Sequence, residues 1–171
     1  FLAMKDALKQ ADNVLDRSIY EDSLLFHLNA DLGRVSQQEV LQYDNLLDTM
    51  LKELETAAPK KRPDLMVHIK VSFDVMLDRI QKRGRDYEQI AVNPELYDYY
   101  RMVNERYEQW YDNFNICPKF QIDGDHYDFV ADPQAAETVI KLIKEETNKL
   151  NQQELKSPCY YPNGNIEKGI F

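Results

Sequence analysis

The sequence predicts an α/β protein built on a parallel sheet covered by helices on both faces. Three observations predict it. Leu65-Met66-Val67-His68-Ile69-Lys70-Val71 is an apolar, β-branched run of strand length. Val14-Leu15, ahead of Asp16, and Phe120-Gln121-Ile122-Asp123 are two further short strand candidates. Around them lie segments with apolar residues at helical spacing, and strands that alternate with helices imply parallel pairing.

The elements follow in order. FLAMKDALKQ sets Phe1, Met4 and Leu8 at helical spacing with no N-cap residue before them. The chain is therefore expected to start inside a helix, as part of a longer polypeptide. Ala11-Asp12-Asn13 reads as a turn before the strand at Val14-Leu15. Ile19, Leu24, Leu25 and Leu28 give a helix from Ile19 to Asn29. Gly33 punctuates the chain, and Ser36 with Glu39 makes a capping-box pattern for a helix from Gln37 to about Glu55. The prolines and cations of residues 59–63 break the chain ahead of the main strand. Ser72 is placed to cap a helix from Phe73 to Arg83, which Gly84 ends. Pro94 opens a tyrosine-rich helix to about Phe114, in which Tyr97, Tyr100, Tyr107 and Trp110 are expected to pack on the core. After the strand at Phe120, closed by Gly124-Asp125, Pro133 opens a last helix to about Leu150. Residues 1–150 then form one domain, and residues 151–171, with Ser157-Pro158 and Pro162-Asn163-Gly164, read as a mobile tail.

Composition narrows the function. Lys and Arg number 21 against 30 Asp and Glu, a formal charge of -9 over 171 residues. That balance argues against a general nucleic-acid binder, which needs a basic face. Cys117 and Cys159 are too few for a disulfide scaffold and lack metal spacing. His27, His68 and His126 are scattered and suggest no zinc set. No apolar run approaches the roughly 20 residues of a membrane span. With no visible signal peptide, a cytoplasmic protein without a membrane partner is the expectation.

In parallel sheets ligands bind beyond the carboxyl ends of the strands, so the residues after Leu15, Val71 and Ile122 matter most. DRSIYED, residues 16–22, follows the first candidate. Asp16 there suits a hydrated Mg²⁺, and Arg17 a phosphate or sugar hydroxyl. Alternatively Asp16 or Ser18 only caps the next helix. Asp22 either bonds a ligand or faces water. In RIQKRGRDYEQ, residues 79–89, Arg79, Lys82 and Arg83 share one side of a helix end and Arg85 follows the glycine. Cations there suit the helix macrodipole, but guanidinium groups are also the side chains that grip phosphate oxygens in pairs. Glu88 either takes a sugar hydroxyl or pairs with Arg83 or Arg85. IDGDHYDF, residues 122–129, is a turn on which a nucleotide base could pack.

VLDRSIYED, KRPDLMVHIKVSFDVMLDRIQKRGRDYEQ and PKFQIDGDHYDFV, in this order, resemble the deoxynucleoside kinase family, above all its bacterial deoxyadenosine and deoxyguanosine kinases. The resemblance runs from Phe1 to about Leu150. It implies a three-layer P-loop kinase-type parallel sheet with helices on both faces. It also implies transfer of the γ-phosphoryl group of ATP to the 5′-hydroxyl of a deoxynucleoside, a purine one, in nucleotide salvage, by a homodimer. By resemblance Asp16 belongs to the Mg²⁺ site through water, and Arg17 lies by the 5′-hydroxyl and the reacting phosphate. Asp22 bonds the base and Phe26 packs on it. Arg79, Arg83 and Arg85 are lid arginines on the ATP phosphates. Glu88 takes the sugar 3′-hydroxyl, with Tyr99 near the sugar, and Asp123, Gly124 and Asp125 lie near the donor adenine.

One departure is large: these residues contain no GxxxxGK[ST]. The family carries that loop on its first strand and a general-base glutamate at the end of its second, and both are expected to precede Phe1. The sheet then lacks its first strands, and the isolated chain is expected to be inactive. Two other readings stay open. One is a nucleoside monophosphate kinase-type phosphotransferase; the other is a non-catalytic truncated kinase acting in an assembly.

Overall fold

A computed structural model of the chain describes residues 2–7, 9–10, 13–17, 19–57 and 63–156. Its elements are α1 (Leu2–Ala7), α2 (Ile19–Asp31), α3 (Gln37–Ala57), β1 (Met66–Lys70), α4 (Phe73–Arg83), a 3₁₀ turn (Asp86–Glu88), α5 (Leu96–Asn113), β2 (Lys119–Asp123) and α6 (Pro133–Lys156). β1 and β2 pair in parallel, with Met66 opposite Lys119 and Lys70 opposite Asp123. The fold class is the expected one, α/β on a parallel sheet.

Two of the three expected strands form. Val14-Leu15 does not: residues 13–15 have no regular structure, and Val14 is 98% exposed. Strand conformation is stabilised by ladder hydrogen bonds and by burial of one face. These two residues have neither among the described residues, where the sheet is two-stranded. The last helix also departs from expectation, running on to Lys156. No glycine or proline follows Pro133 within it to halt propagation. Of residues 151–171, expected to be a mobile tail, residues 151–156 belong to this helix; residues 157–171 lie outside the described residues, as do Phe1, Leu8, Ala11, Asp12, Ser18 and residues 58–62.

Local signals set the helix ends. Ser36 and Glu39 make the reciprocal box: the Ser36 N–H donates to the Glu39 carboxylate at 2.8 Å, and the Glu39 N–H donates to Ser36 Oγ at 3.3 Å. The bonds from Ser36 hold the Glu39 carboxyl below its ordinary range. Ser72 is extended (φ -64°, ψ 156°), and its Oγ accepts the Val75 N–H at 3.4 Å. Gly84 closes α4 in the left-handed region, φ 71°, its N–H shared between the Ile80 and Gln81 carbonyls. A side chain there would cost about 1–2 kcal/mol.

Packing is centred on α2, α3 and α5. Ile19, Leu24 and Leu28 of α2 are buried with Leu47 of α3. Ile19 and Leu47 form a nucleus on which Tyr20, Tyr43, Met50 and Leu51 pack. α5 lies against β1, where Tyr107 and Tyr111 stack on His68 at 6.2 and 5.1 Å. Asn104 Nδ2 donates to the Val71 carbonyl at 3.0 Å, tying α5 to the end of β1. Tyr100, Tyr107 and Trp110 are half-buried as expected, but Tyr97 is exposed. In the first turn of α5 its ring meets that of Phe73 edge to face, centres 5.2 Å apart, and is otherwise largely open to solvent.

His68 makes stability depend on pH. Burial pushes its pKa below 6.5, and the Lys70 charge adds to this. Gln121 Nε2 lies 3.1 Å from Nδ1, which suits a neutral ring accepting there. The unfolded chain then holds the proton more tightly than the folded one. Stability is expected to fall as pH drops through 6.5 and to level off once the folded ring is protonated. Thermal melts from about pH 8 to about pH 5 check this, and His68→Phe should flatten that segment. An unchanged slope in the variant would assign it to another group.

Candidate active site

α4 carries the basic segment. Arg79 Nη2 donates to the Gly124 carbonyl at 2.6 Å. The Gly124 N–H donates to the Lys70 carbonyl at 2.7 Å, and Asp125 Oδ1 accepts the Ser72 N–H at 2.8 Å. That bond from the Ser72 backbone holds the Asp125 carboxyl below its ordinary value. Arg79 and the Asp123-Gly124-Asp125 loop therefore come together beyond the carboxyl ends of both strands. Lys82 pairs with Asp78 instead, at 2.6 Å.

Past Arg83 the chain reverses at Gly84, and the 3₁₀ turn brings Glu88 back toward α4. Arg83 reaches Glu88 Oε2 through Nη2 at 2.6 Å and Nε at 2.9 Å, while Arg85 Nη1 reaches Oε1 at 3.3 Å. Of the two readings of Glu88, the ion pair is the one formed here. Both guanidiniums are about half exposed (49% and 53%), so solvent screens these pairs and they are weak enough to be exchanged for another anion.

Asp16 and Arg17 lie in the bend before α2. Arg17 has φ 64°, and it is the positive-φ residue other than glycine among those described. For a residue with a Cβ that conformation costs about 1–2 kcal/mol. Its Nε lies 3.6 Å from Glu21 Oε1, and the same oxygen accepts the Tyr107 hydroxyl. Burial, then the bond to Glu21, push the Tyr107 phenol well above its ordinary value. Asp16 is exposed and makes no hydrogen bond or ion pair to a described residue. No group of three His, Cys, Asp or Glu side chains could enclose a metal among the described residues. A lone carboxylate is still a fit for Mg²⁺, which keeps waters and phosphate oxygens around one or two protein ligands.

On α2, Asp22 is exposed and Phe26, one turn on, is half-buried. Phe26 stacks on Tyr43 of α3, ring centres 4.1 Å apart. Burial raises the Tyr43 phenol, and the Asp22 and Asp44 charges add to it. Tyr43 was not foreseen as part of a site. Its spacing to Leu47 and Met50 on the buried stripe of α3 was the available signal. Tyr99 of α5 is half-buried, with the Arg34 guanidinium 5.1 Å above its ring, another partner not foreseen.

Beyond the strand ends lies a cleft of about 570 Å³, lined by Lys70, Ser72, Asn104, Glu108, Asp123 and Asp125 among others. Lys70 pairs with Glu108 at 2.8 Å. Reasoning from sequence missed Lys70, Asn104 and Glu108, although Lys70 ends the best strand. Arg79 reaches the rim of this cleft through Gly124, whereas Asp16, Arg17, Arg83 and Arg85 are not among its lining residues. α5 joins the separate groups. Tyr100 donates to the Glu88 carbonyl at 3.0 Å, and Tyr107, two turns and about 10 Å further along, donates to Glu21.

The family model for deoxynucleoside kinases matches residues 2–148, the span that holds every group above. The chain belongs to the deoxynucleoside kinase family. Among its relatives, a deoxyguanosine kinase of Lactobacillus johnsonii is 47% identical over 154 residues, covering 90% of this chain and 68% of that protein. A second deoxyguanosine kinase, from Lactobacillus acidophilus, is 47% identical over 152 residues, with 89% and 66% covered. A deoxyadenosine kinase of the same organism is 43% identical over 147 residues, with 86% and 68% covered. This deoxynucleoside kinase chain thus spans about two thirds of the length of those relatives. It is also similar to the structure of a deoxyadenosine kinase from M. mycoides with bound dATP. The TM-score is 0.61 at 26% identity, covering 86% of this chain and 68% of that one. No helix among the described residues is long and apolar enough to cross a membrane.

Proposed function

We propose that the chain is part of an enzyme that moves the γ-phosphoryl group of ATP to the 5′-hydroxyl of a purine deoxynucleoside, for nucleotide salvage. The names of the relatives, deoxyguanosine and deoxyadenosine kinases, and the dATP-bound neighbour support the substrate class. One geometric observation carries the reading. Arg83 and Arg85, on either side of the left-handed Gly84, converge on the two oxygens of a single carboxylate. A carboxylate presents oxygens much as a phosphate does, and guanidinium forks recognise both. In this reading ATP phosphates replace Glu88 as the anion.

The residues then divide the work. Arg17, Arg79, Arg83 and Arg85 offset charge on the transferring phosphoryl group, since this chemistry is mainly positioning and electrostatics. Released Glu88 accepts the sugar 3′-hydroxyl, with Tyr99 beside the sugar. Asp22 bonds the base and Phe26, backed by Tyr43, stacks on it. Asp123, Gly124 and Asp125 lie against the donor adenine. Asp16 would hold Mg²⁺ through water, and the ion would neutralise phosphate charge. Swinging about Gly84, the arginine segment excludes water as it closes. The reading includes a homodimer in the cytoplasm; exposed Leu41 and Leu46 offer apolar surface on α3 for such pairing.

Turnover by the full-length protein with ATP tests this, comparing purine deoxynucleosides, deoxycytidine and the deoxynucleoside monophosphates. The expected order puts a purine deoxynucleoside first. Faster turnover of monophosphates would favour the monophosphate kinase reading, and none at all the non-catalytic one.

A further inference from the structure

We infer that Glu21 and Tyr107 are positioning residues that aim Arg17 at the reacting phosphate, an inference that rests on the kinase reading above. Three parts of the chain meet here: the bend at Arg17, the first turn of α2 and the middle of α5. Glu21 is mostly buried, its side chain 16% exposed, whereas Arg17 is 61% exposed. One oxygen, Glu21 Oε1, faces both the Tyr107 hydroxyl and Arg17 Nε. The carboxylate therefore faces the Nε side of the guanidinium as an ion pair. No hydrogen bond joins the Nη groups to a described residue, which leaves the forked end for an incoming oxyanion.

Tyr107 is itself held. Its ring lies nearly parallel to His68 of β1, 9° between planes, and takes the edge of Trp110. The sheet is thus linked to Arg17 through His68, Tyr107 and Glu21. Arg17 also keeps a left-handed backbone, at φ 64°. Strain of that kind persists where the surroundings over-determine the conformation. An exposed i,i+4 pair on a helix would need none of this: no buried carboxylate, no second donor on the same oxygen and no strained bend. The raised Tyr107 phenol stays protonated at working pH and so remains a donor.

The test uses Arg17→Ala, Tyr107→Phe and Glu21→Gln in the full-length protein, singly and with each of the last two combined with Arg17→Ala. Tyr107→Phe and Glu21→Gln are each expected to lower kcat about 10- to 100-fold with little change in the deoxynucleoside KM. Neither should lower it further once Arg17 is alanine, because both act through that side chain. Losses that multiply with that of Arg17→Ala overturn the inference and leave the kinase reading standing. Normal turnover by Arg17→Ala overturns the role of Arg17 in that reading and this inference with it. If Tyr107→Phe fails to fold by circular dichroism, Glu21→Gln, which keeps the shape of the side chain, decides alone.

Discussion

Arg83→Ala or Arg85→Ala in the full-length protein is expected to lower kcat by about 10³, the scale of losing an arginine that stabilises a transferring phosphoryl group. The ground for a loss this large is the convergence of both guanidiniums on the two oxygens of Glu88. A pair pre-aimed at one anion loses its geometry when either member goes. Folding should hardly notice. Both arginines are half exposed, and screened surface pairs contribute little to stability. The diagnostic result is therefore a large kinetic defect at an almost unchanged melting temperature. Near-normal turnover in both variants would falsify the clamp and return these residues to a charged helix end.

Gly124→Ala is the second large effect, and its first readout is stability. A Cβ there would stand 2.7 Å from Val71 Cγ1, 2.8 Å from the Lys70 carbonyl oxygen and 3.0 Å from Ile69 Cγ2. Two of these atoms belong to side chains, but the Lys70 oxygen is backbone and already accepts the Gly124 N–H. Relief requires the end of β1 and the loop after β2 to part. Overpacking of this kind costs about 1–3 kcal/mol, with each kcal/mol lowering the melting temperature by about 2–4 °C in a chain of this size. The same shift moves the carbonyl that holds Arg79, so ATP KM should rise alongside the stability loss. A melting temperature equal to that of the unaltered protein would mean that the two strand ends are not locked together as described.

Much of the scaffold was legible because its causes are local. A serine oxygen three residues from the N–H it satisfies, at Ser36 and Ser72, marks a helix start in any context. A glycine that can turn left-handed marks a helix end, as at Gly84. The apolar runs at Met66–Lys70 and Lys119–Asp123 have β propensity and each other as partners. Val14-Leu15 has the same kind of residues but no strand to pair with among those described, and propensity without a partner leaves it irregular. Tyr97 misled for a related reason: a helical stripe predicts a buried face only as far as there is something to cover it.

The candidate site divides along the same line. Arg79, Arg83, Arg85 and Glu88 sit within ten residues, and their charge crowding in an acidic chain is visible in the string of letters. What they hold is only partly visible: Glu88 was a candidate partner, whereas the anchor of Arg79 on Gly124 crosses 45 residues. Tyr43, Lys70, Asn104 and Glu108 were overlooked because an aromatic stripe or a charged helix face is common and takes on meaning only when packing places it beside a cleft.

By itself the sequence determined where the helices begin, that Gly84 ends α4, that the runs at Met66–Lys70 and Lys119–Asp123 are strands, and that arginines crowd around that glycine; these are short-range matters of capping, periodicity and charge. Only tertiary structure decided which carboxylate each arginine faces, that Tyr107 reaches Glu21 across 86 residues, and that one short apolar run stays out of the sheet. The physical reason is that a hydrogen bond or ion pair depends on distance in space. Helix–helix and helix–sheet packing sets that distance between residues far apart in the chain, and spacing along the sequence does not encode it.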